Sequence, residues 1–239
     1  YQVCEDYLQV MASASSRYHI QIPDRQLACA PVRSAEGKRY LSAMACAANY
    51  AWANRQMIMH LTERAMLHAL SLAPNDLNLR LVYDVAHNIA KLEDHSHGAA
   101  RVECCVHRKG ATRAFGPGRP EVPPDYREIG QPVLIPGDMG TASFVCRGTE
   151  TAMEQTFGST CHGAGRTLSR SQALKKARGR AIDRELQNRG IFVRSQGPKT
   201  LAEEMPEAYK DVEQVVAVMD GAGISPRVVR LRPLGVMKG

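Results

Sequence analysis

Aromatic side chains are scarce: 1 Trp, 8 Tyr and 4 Phe make up 5% of the chain. A sheet that stacks successive bases on aromatics is therefore not supported, and nucleic-acid binding would fall mostly to phosphate contacts. No C-x-x-C pair exists, so a structural zinc site is not expected. The 7 cysteines, at positions 4, 29, 46, 104, 105, 146 and 161, are odd in number and lack paired framework spacing, which points to a reducing cytoplasm. No apolar run approaches the roughly 18 residues of a membrane span, and the sequence carries no signal-peptide pattern, internal repeat or low-complexity tract. Acidic residues are outnumbered: 31 Lys and Arg against 24 Asp and Glu give +7 and a pI near 9.1. That balance favours an anionic partner such as RNA, DNA or a nucleotide, although a merely soluble basic surface is the plainer reading.

What is present suits a globular fold. With 239 residues and 44% apolar content the chain can form one large domain or two small ones. No composition shift marks a boundary, so a single domain over residues 1–239 is expected. The chain opens on Tyr1 with a pattern that reads as a helix already under way, which suggests an N-terminally incomplete protein.

The stretch richest in chemistry is Ser159 to Arg166, STCHGAGR. His162 is followed by Gly163, Ala164 and Gly165, none with a side chain beyond Cβ, so backbone N–H groups there can approach phosphate oxygens closely. A neutral imidazole facing that phosphate can serve as nucleophile, base or metal ligand. The plainer alternative is a helix-capping glycine beside an ordinary polar histidine.

Along the chain, residues 2–15 carry Val3, Tyr7, Val10 and Met11 at helical spacing. From Glu36 to about Leu72 a stripe of Leu41, Met44, Ala48, Ala51, Ile58, Leu61 and Ala65 predicts a long helix capped by Ser34, broken once. LNLRLVYDVAH then alternates, which predicts a strand with Leu77, Leu79, Leu81, Tyr83 and Val85 on one face and His87 on the buried side at its end. A lone histidine there is commonly a satisfied core residue, but Asn88 puts a second polar group at the same point. His95 and His97 read as an exposed turn before a strand containing Val102, Cys104 and Val106. Residues 116–132 form a long Gly/Pro loop that packs on the surface or acts as a lid. QPVLIPGDMGTASFV predicts two strands around a glycine-flanked loop, able to cradle phosphate or to serve as a plain hairpin connection.

Ser169 to Gly190 reads as one basic amphipathic helix, with Leu174, Ala177, Ala181, Ile182 and Leu186 inward. Thr200 to Glu203 has the pattern of a capping box opening a short helix to Tyr209. Asp211 to Asp220 reads as another helix, and the tail as a strand leading to Lys238.

The segments NYAWANRQ, DVAHN, VHRKGATRAF, IPGDMGTAS, CHGAGR and the terminal GVMKG, in that order, closely resemble the RtcB family of RNA ligases that use GTP and manganese. The resemblance spans essentially the whole chain. It implies an α+β architecture with mixed sheets around a central cleft. It also implies a reaction in which His162 attacks the α-phosphate of GTP to form a histidine–GMP phosphoramidate. The guanylate passes to an RNA 3′-phosphate, derived from a 2′,3′-cyclic phosphate, and a 5′-hydroxyl displaces GMP to join the strands.

By the same resemblance His87 is a ligand of manganese, of which the family binds two ions, and Asn88 contacts nucleotide. Pro136, Gly137, Asp138 and Met139, with Ser143, form part of the GTP site, and His162 to Gly165 hold the α-phosphate. Tyr209 matches a guanine-stacking residue and Lys238 the penultimate lysine on the nucleotide, while Arg166 and Arg170 meet RNA or product phosphates. Asp138 departs from relatives with a hydroxyl residue there, which favours backbone over side-chain contact with the triphosphate. An archease-type activator belongs to the partners the resemblance admits, and a monomer in the cytoplasm is the expected state.

The family's N-terminal half, with Asp and Cys metal ligands, a GNH motif and a further His, does not precede Tyr1 in this sequence, so the segment alone is expected to be inactive. Two rivals stand beside the ligase reading. One is a non-catalytic RNA-binding paralogue or inactive remnant in which His162 is idle. The other is a metallohydrolase with His87 and His162 as joint ligands.

Overall fold

The computed structural model describes residues 2–98 and 100–238. The chain divides into two compact units, residues 1–82 with 89–93 and residues 83–88 with 94–239.

The first unit is helical. Helix α1 (Gln2–Arg17) buries Met11 and Ala14, and Tyr7 meets Tyr40 edge-on at 5.8 Å between ring centroids. Helix α2 (Ala35–Leu70) runs unbroken for 36 residues, about 54 Å at 1.5 Å per residue. Ser34 caps it by accepting from the Gly37 N–H, and Ser71 closes it in the left-handed region at φ 53°. Gly37 is required by space: a Cβ there would lie 2.5 Å from the Pro31 carbonyl oxygen. The expected apolar stripe is not buried over the helix's second half, where Ile58 is 53% and Leu61 54% exposed. A short helix α3 (Pro74–Leu77) follows.

Residues 78–87 do not form the expected strand. Alternation supplies a face but not a ladder, and no described strand pairs with this segment; Leu81 and Val82 are 61% and 63% exposed. Regular structure begins where that strand should end, with β1 (Asn88–His97), which pairs with β2 (Ala100–Lys109). His95 is therefore a strand residue and not part of an exposed turn. It is buried, edge-on to Phe157 at 5.2 Å and to Phe115 at 6.1 Å.

The second unit contains three further small sheets. Strand β3 (Ala111–Arg113) leads into a loop whose residue Val122 is fully buried and which contains α4 (Pro124–Arg127). Strands β4 (Pro132–Ile135) and β5 (Ser143–Arg147) are antiparallel neighbours. Helix α5 (Glu150–Thr156) then turns through Phe157 and Gly158 into β6 (Ser159–Cys161), the antiparallel partner of β3.

The expected single basic helix is two, α6 (Arg170–Lys176) and α7 (Ile182–Asn188), because the chain turns at Gly179 with φ +76°. The fully buried Ala173 of α6 and Leu186 of α7, at 1%, join the same apolar cluster. Strand β7 (Phe192–Ser195) precedes α8 (Pro198–Glu203), which starts on Pro198 with no side-chain cap, so the capping box expected at Thr200 does not form. After a 3-10 turn at Pro206–Ala208 comes α9 (Val212–Gly221), capped by Asp211. The tail forms two strands and not one: β8 (Arg227–Leu231) pairs antiparallel with β5, and β9 (Gly235–Lys238) pairs parallel with β7.

Helices and small sheets, antiparallel in β3–β6 and β4–β5–β8 and parallel in β7–β9, make this an α+β fold. In the second unit one apolar cluster forms around Ala173, Leu186 and Met205 and another around Val133, Phe144 and Val212, and Tyr209 packs against both. Among the described residues no helix is long and apolar enough to cross a membrane.

Candidate functional site

The β3–β6 register builds the centre of the site. Ala111 faces Cys161, so the next pair outward sets Gly110 opposite His162. Gly110 has φ +68°, and a Cβ there would sit 3.5 Å from His162 Cδ2. Its N–H donates to the His87 carbonyl at 3.1 Å and to Asn88 Oδ1 at 3.2 Å. Three distant segments thereby meet, and the His87 and His162 rings stack with centroids 4.3 Å apart and planes within 3° of parallel. Burial, with the His87 ring beside it as the lesser cause, holds the His162 imidazole below its ordinary pKa, which leaves it neutral with a free lone pair near pH 7.

The stacking restricts the chemistry. Imidazole lone pairs lie in the ring plane, and two stacked parallel planes do not converge on one point. A single metal ion therefore cannot accept both lone pairs in this arrangement. Among the described residues no group of three or more His, Cys, Asp or Glu is placed to hold a metal. His87 is a single donor, and these residues do not make a manganese site by themselves.

The β4–β5 loop lies against the glycines after His162. The Ala164 N–H donates to the Pro136 carbonyl at 3.1 Å, so one of the donors expected to face phosphate is committed to holding two loops together. A Cβ on Gly163 would approach that same carbonyl oxygen to 3.2 Å, and one on Gly137 would lie 2.2 Å from the Ala142 oxygen. Gly165 has φ +76° with open space around its Cβ position. Within the loop Ser143 Oγ accepts from the Gly137 N–H at 3.4 Å. The Asp138 carboxylate turns inward, accepting from the Gly140 N–H at 2.7 Å and the Thr141 hydroxyl at 2.8 Å. Met139 is buried in the apolar cluster.

Beyond this loop lies a cavity of about 310 Å³ lined by Gly137, Asp138, Met139, Glu204, Tyr209 and Lys238, among others. Lys238 is placed by the parallel β7–β9 ladder, where it is the register partner of Ser195. Tyr209 is held by the Arg166 guanidinium, which lies 4.9 Å from its ring centroid and donates to its hydroxyl at 3.1 Å, and by a bond to Glu204. Burial, then Glu204, pushes the Tyr209 phenol pKa up. Arg166 also donates to the Leu168 carbonyl at 3.0 Å, the Glu203 carbonyl at 2.7 Å and Glu204 at 3.2 Å. Four of its five N–H groups are thus engaged inside the protein, which suits a holding role for the tyrosine more than a phosphate contact. Arg170 is 73% exposed, 3.8 Å from Glu204 and 4.0 Å from Glu203, and its side chain is open to an external anion.

The structure thus brings His87, Asn88 and His162 together, links them through Gly163 and Pro136 to the loop, and sets Tyr209 and Lys238 on the adjoining cavity. Sequence reasoning missed Gly110, Glu204 and Arg189, the last donating to the Gly140 carbonyl at 2.5 Å and fixing the loop from below. None carries a local signal, because each acts through register or packing across at least 20 residues of sequence, apart from the nearby Glu204–Tyr209 pair.

The family model described as tRNA-splicing ligase RtcB matches residues 1–239. The tRNA-splicing ligase RtcB of Archaeoglobus fulgidus is 56% identical over 239 residues, 100% of this chain and 50% of that protein. Those of Methanococcus maripaludis and Thermococcus kodakarensis are 54% and 52% identical, again over 100% of this chain and 50% of theirs. The chain spans about half the length of these curated relatives. With a match over its full length and a site assembled from the matching motifs, this chain belongs to the RtcB family.

Proposed function

We infer that the chain carries the guanylate-accepting part of an RNA ligase, with GTP consumed as substrate. The observation that supports this most strongly is the stacked pair: His162 and His87 are adjacent but oriented so that they cannot share one ion, which suits one nucleophile and one ligand. His162, neutral through burial, presents a ring nitrogen lone pair to the α-phosphorus; a P–N bond forms as the bond to pyrophosphate breaks. A phosphoramidate is reactive enough to hand the guanylate on. An oxygen of the RNA 3′-phosphate takes it, restoring His162, and the 5′-hydroxyl oxygen then attacks the activated 3′-phosphorus and releases GMP.

The chain's own residues position and enclose. Lys238 offers positive charge to phosphate, Tyr209 a face for the guanine, and the Gly137 and Gly163 backbones the close approach that side chains would block. Arg170 and the basic surface take RNA phosphates with little sequence preference. Manganese, when bound, would stabilise charge on the transferring phosphate, and His87 is the donor this chain offers it.

The test is labelling of the full-length protein with radioactive GTP and Mn²⁺. An acid-labile, alkali-stable adduct on His162 is expected, absent in His162→Ala at every manganese concentration. His87→Ala should weaken manganese binding, with labelling partly restored by excess metal. Persistent labelling in His162→Ala removes the assignment, and equal metal rescue of both variants restores the joint-ligand metallohydrolase.

A further inference from the structure

We propose that a second, separate groove in the same unit binds a single-stranded stretch of RNA away from the reacting end. This rests on the ligase reading and extends its substrate contacts. The groove, about 770 Å³, lies among the C-terminal end of α6, the start of α7, β7 and the start of α8. Its floor is apolar, from the buried Ala177, Ile182, Val193 and Leu201. Its rim carries Arg178, Arg180, Arg194 and Lys199 against one carboxylate, Asp183. Arg180 is neutralised by Glu185 at 2.5 Å and Glu207 at 2.8 Å. Arg178, Arg194 and Lys199 are exposed and form no ion pair among the described residues, so with Asp183 and the second carboxylate on Arg180 included the groove keeps a net charge of +1 (four cations less three carboxylates).

The aromatic beside it favours RNA over an acidic polypeptide. Phe192 is 60% exposed in a chain with few aromatics, and the Arg194 guanidinium lies 5.5 Å from its ring centroid. An exposed ring flanked by arginine is a platform for an unpaired base, whose phosphates the neighbouring cations can take. The groove also adjoins the candidate nucleotide cavity. In the β7–β9 ladder Arg194 pairs with Met237 and Ser195 with Lys238; the first of each pair lines the groove and the second lines the cavity. Neighbouring strands are about 4.8 Å apart, so an RNA whose 3′ end meets the guanylate held in that cavity can continue over β7 into the groove. A duplex would withhold its bases from Phe192, hence the single strand.

The test is anisotropy titration of the full-length protein with 3′-phosphate RNAs of about 3 nucleotides, below the usual length of a single-strand site, and about 12, within it. The triple variant Arg178→Gln, Arg194→Gln, Lys199→Gln should bind the longer RNA at least about tenfold more weakly near 0.1 M salt, with the slope of log K against log salt reduced by about 2. Its affinity for the short RNA should hold, and Arg178→Lys with Arg194→Lys should retain long-RNA binding. Phe192→Ala should lose affinity for the longer RNA without changing the slope. Wild-type affinity and slope in the triple variant overturn the groove while leaving the ligase reading intact. So does equal loss for both RNAs, or groove-dependent binding of polyglutamate but not of RNA. Absence of both RNA binding and the His162 adduct in the wild-type protein overturns the ligase reading itself.

Discussion

Replacing Arg166 separates two roles that a sequence alone assigns to the same guanidinium. If it holds the Tyr209 wall of the cavity, Arg166→Lys keeps the charge but loses the fork that reaches Leu168, Glu203, Glu204 and Tyr209. A lysine at that position can remake one or two of these four bonds. Each lost bond from a charged donor costs about 1.5 kcal/mol, and the side chain is 25% exposed, so a net loss of about 2–3 kcal/mol follows. With a urea slope of about 2–3 kcal/mol/M, the midpoint of the full-length protein falls by about 1 M. Nucleotide affinity should fall with it, because Tyr209 loses its main constraint. Arg170→Ala is the control: its contacts at 3.8 and 4.0 Å are exposed, so stability should change by under about 0.5 kcal/mol while RNA affinity drops. If Arg166→Lys unfolds like the wild type and loses only RNA affinity, the holding role is wrong.

Two further outcomes follow from backbone and burial. Gly110→Ala should cost about 1–2 kcal/mol for its φ of +68° and also slow adduct formation, since relief of that strain moves the N–H that holds His87 and Asn88 beside His162; Gly118→Ala, with φ +78° and open space, should share the stability cost alone. Labelling kinetics and urea midpoints of the pair read both effects. The Cys146 thiol is pushed up to about 11 by burial first, then by Cys161 and Asp220, so at pH 8 it should resist alkylation until the protein unfolds. Its proton is lost more easily from the unfolded chain, so this contribution is complete below about pH 9 and lost as pH rises to about 11, a fall on the order of 2–3 kcal/mol. Comparing that pH dependence with Cys146→Ala isolates it, and an identical decline in both removes the claim.

The parts of the fold that local chemistry decides could be read from the sequence. Ser34 and Asp211 bring their own caps, and the apolar run before Pro136 is β4 because turn residues bound it. Pattern failed where a second partner decides the outcome. Residues 78–87 alternate as well as any strand, yet no ladder exists for them among the described residues, and strand propensity without pairing fixes nothing. The basic helix failed for the opposite reason. Its periodicity is continuous through Gly179, but the left-handed turn there lets α6 and α7 each place a buried residue, Ala173 and Leu186, in one cluster.

The candidate site divides along the same line. His162, His87 and the glycine loops announce themselves because each needs a rare residue type at a fixed spacing. The residues that hold them do not, since Arg189 is an ordinary arginine until its fork meets the Gly140 carbonyl, and Glu204 an ordinary acid until Arg166 and Tyr209 converge on it. Arg166 shows the limit of reading by motif. Its place directly after the glycines suggests a phosphate contact, but the hydrogen bonds it makes 37 to 43 residues along the chain turn the guanidinium inward. A motif specifies which groups are available near the chemistry. Long-range packing decides which of them face the substrate and which are used to keep the others in place, and only the register of β3 with β6 makes Gly110 one of the latter.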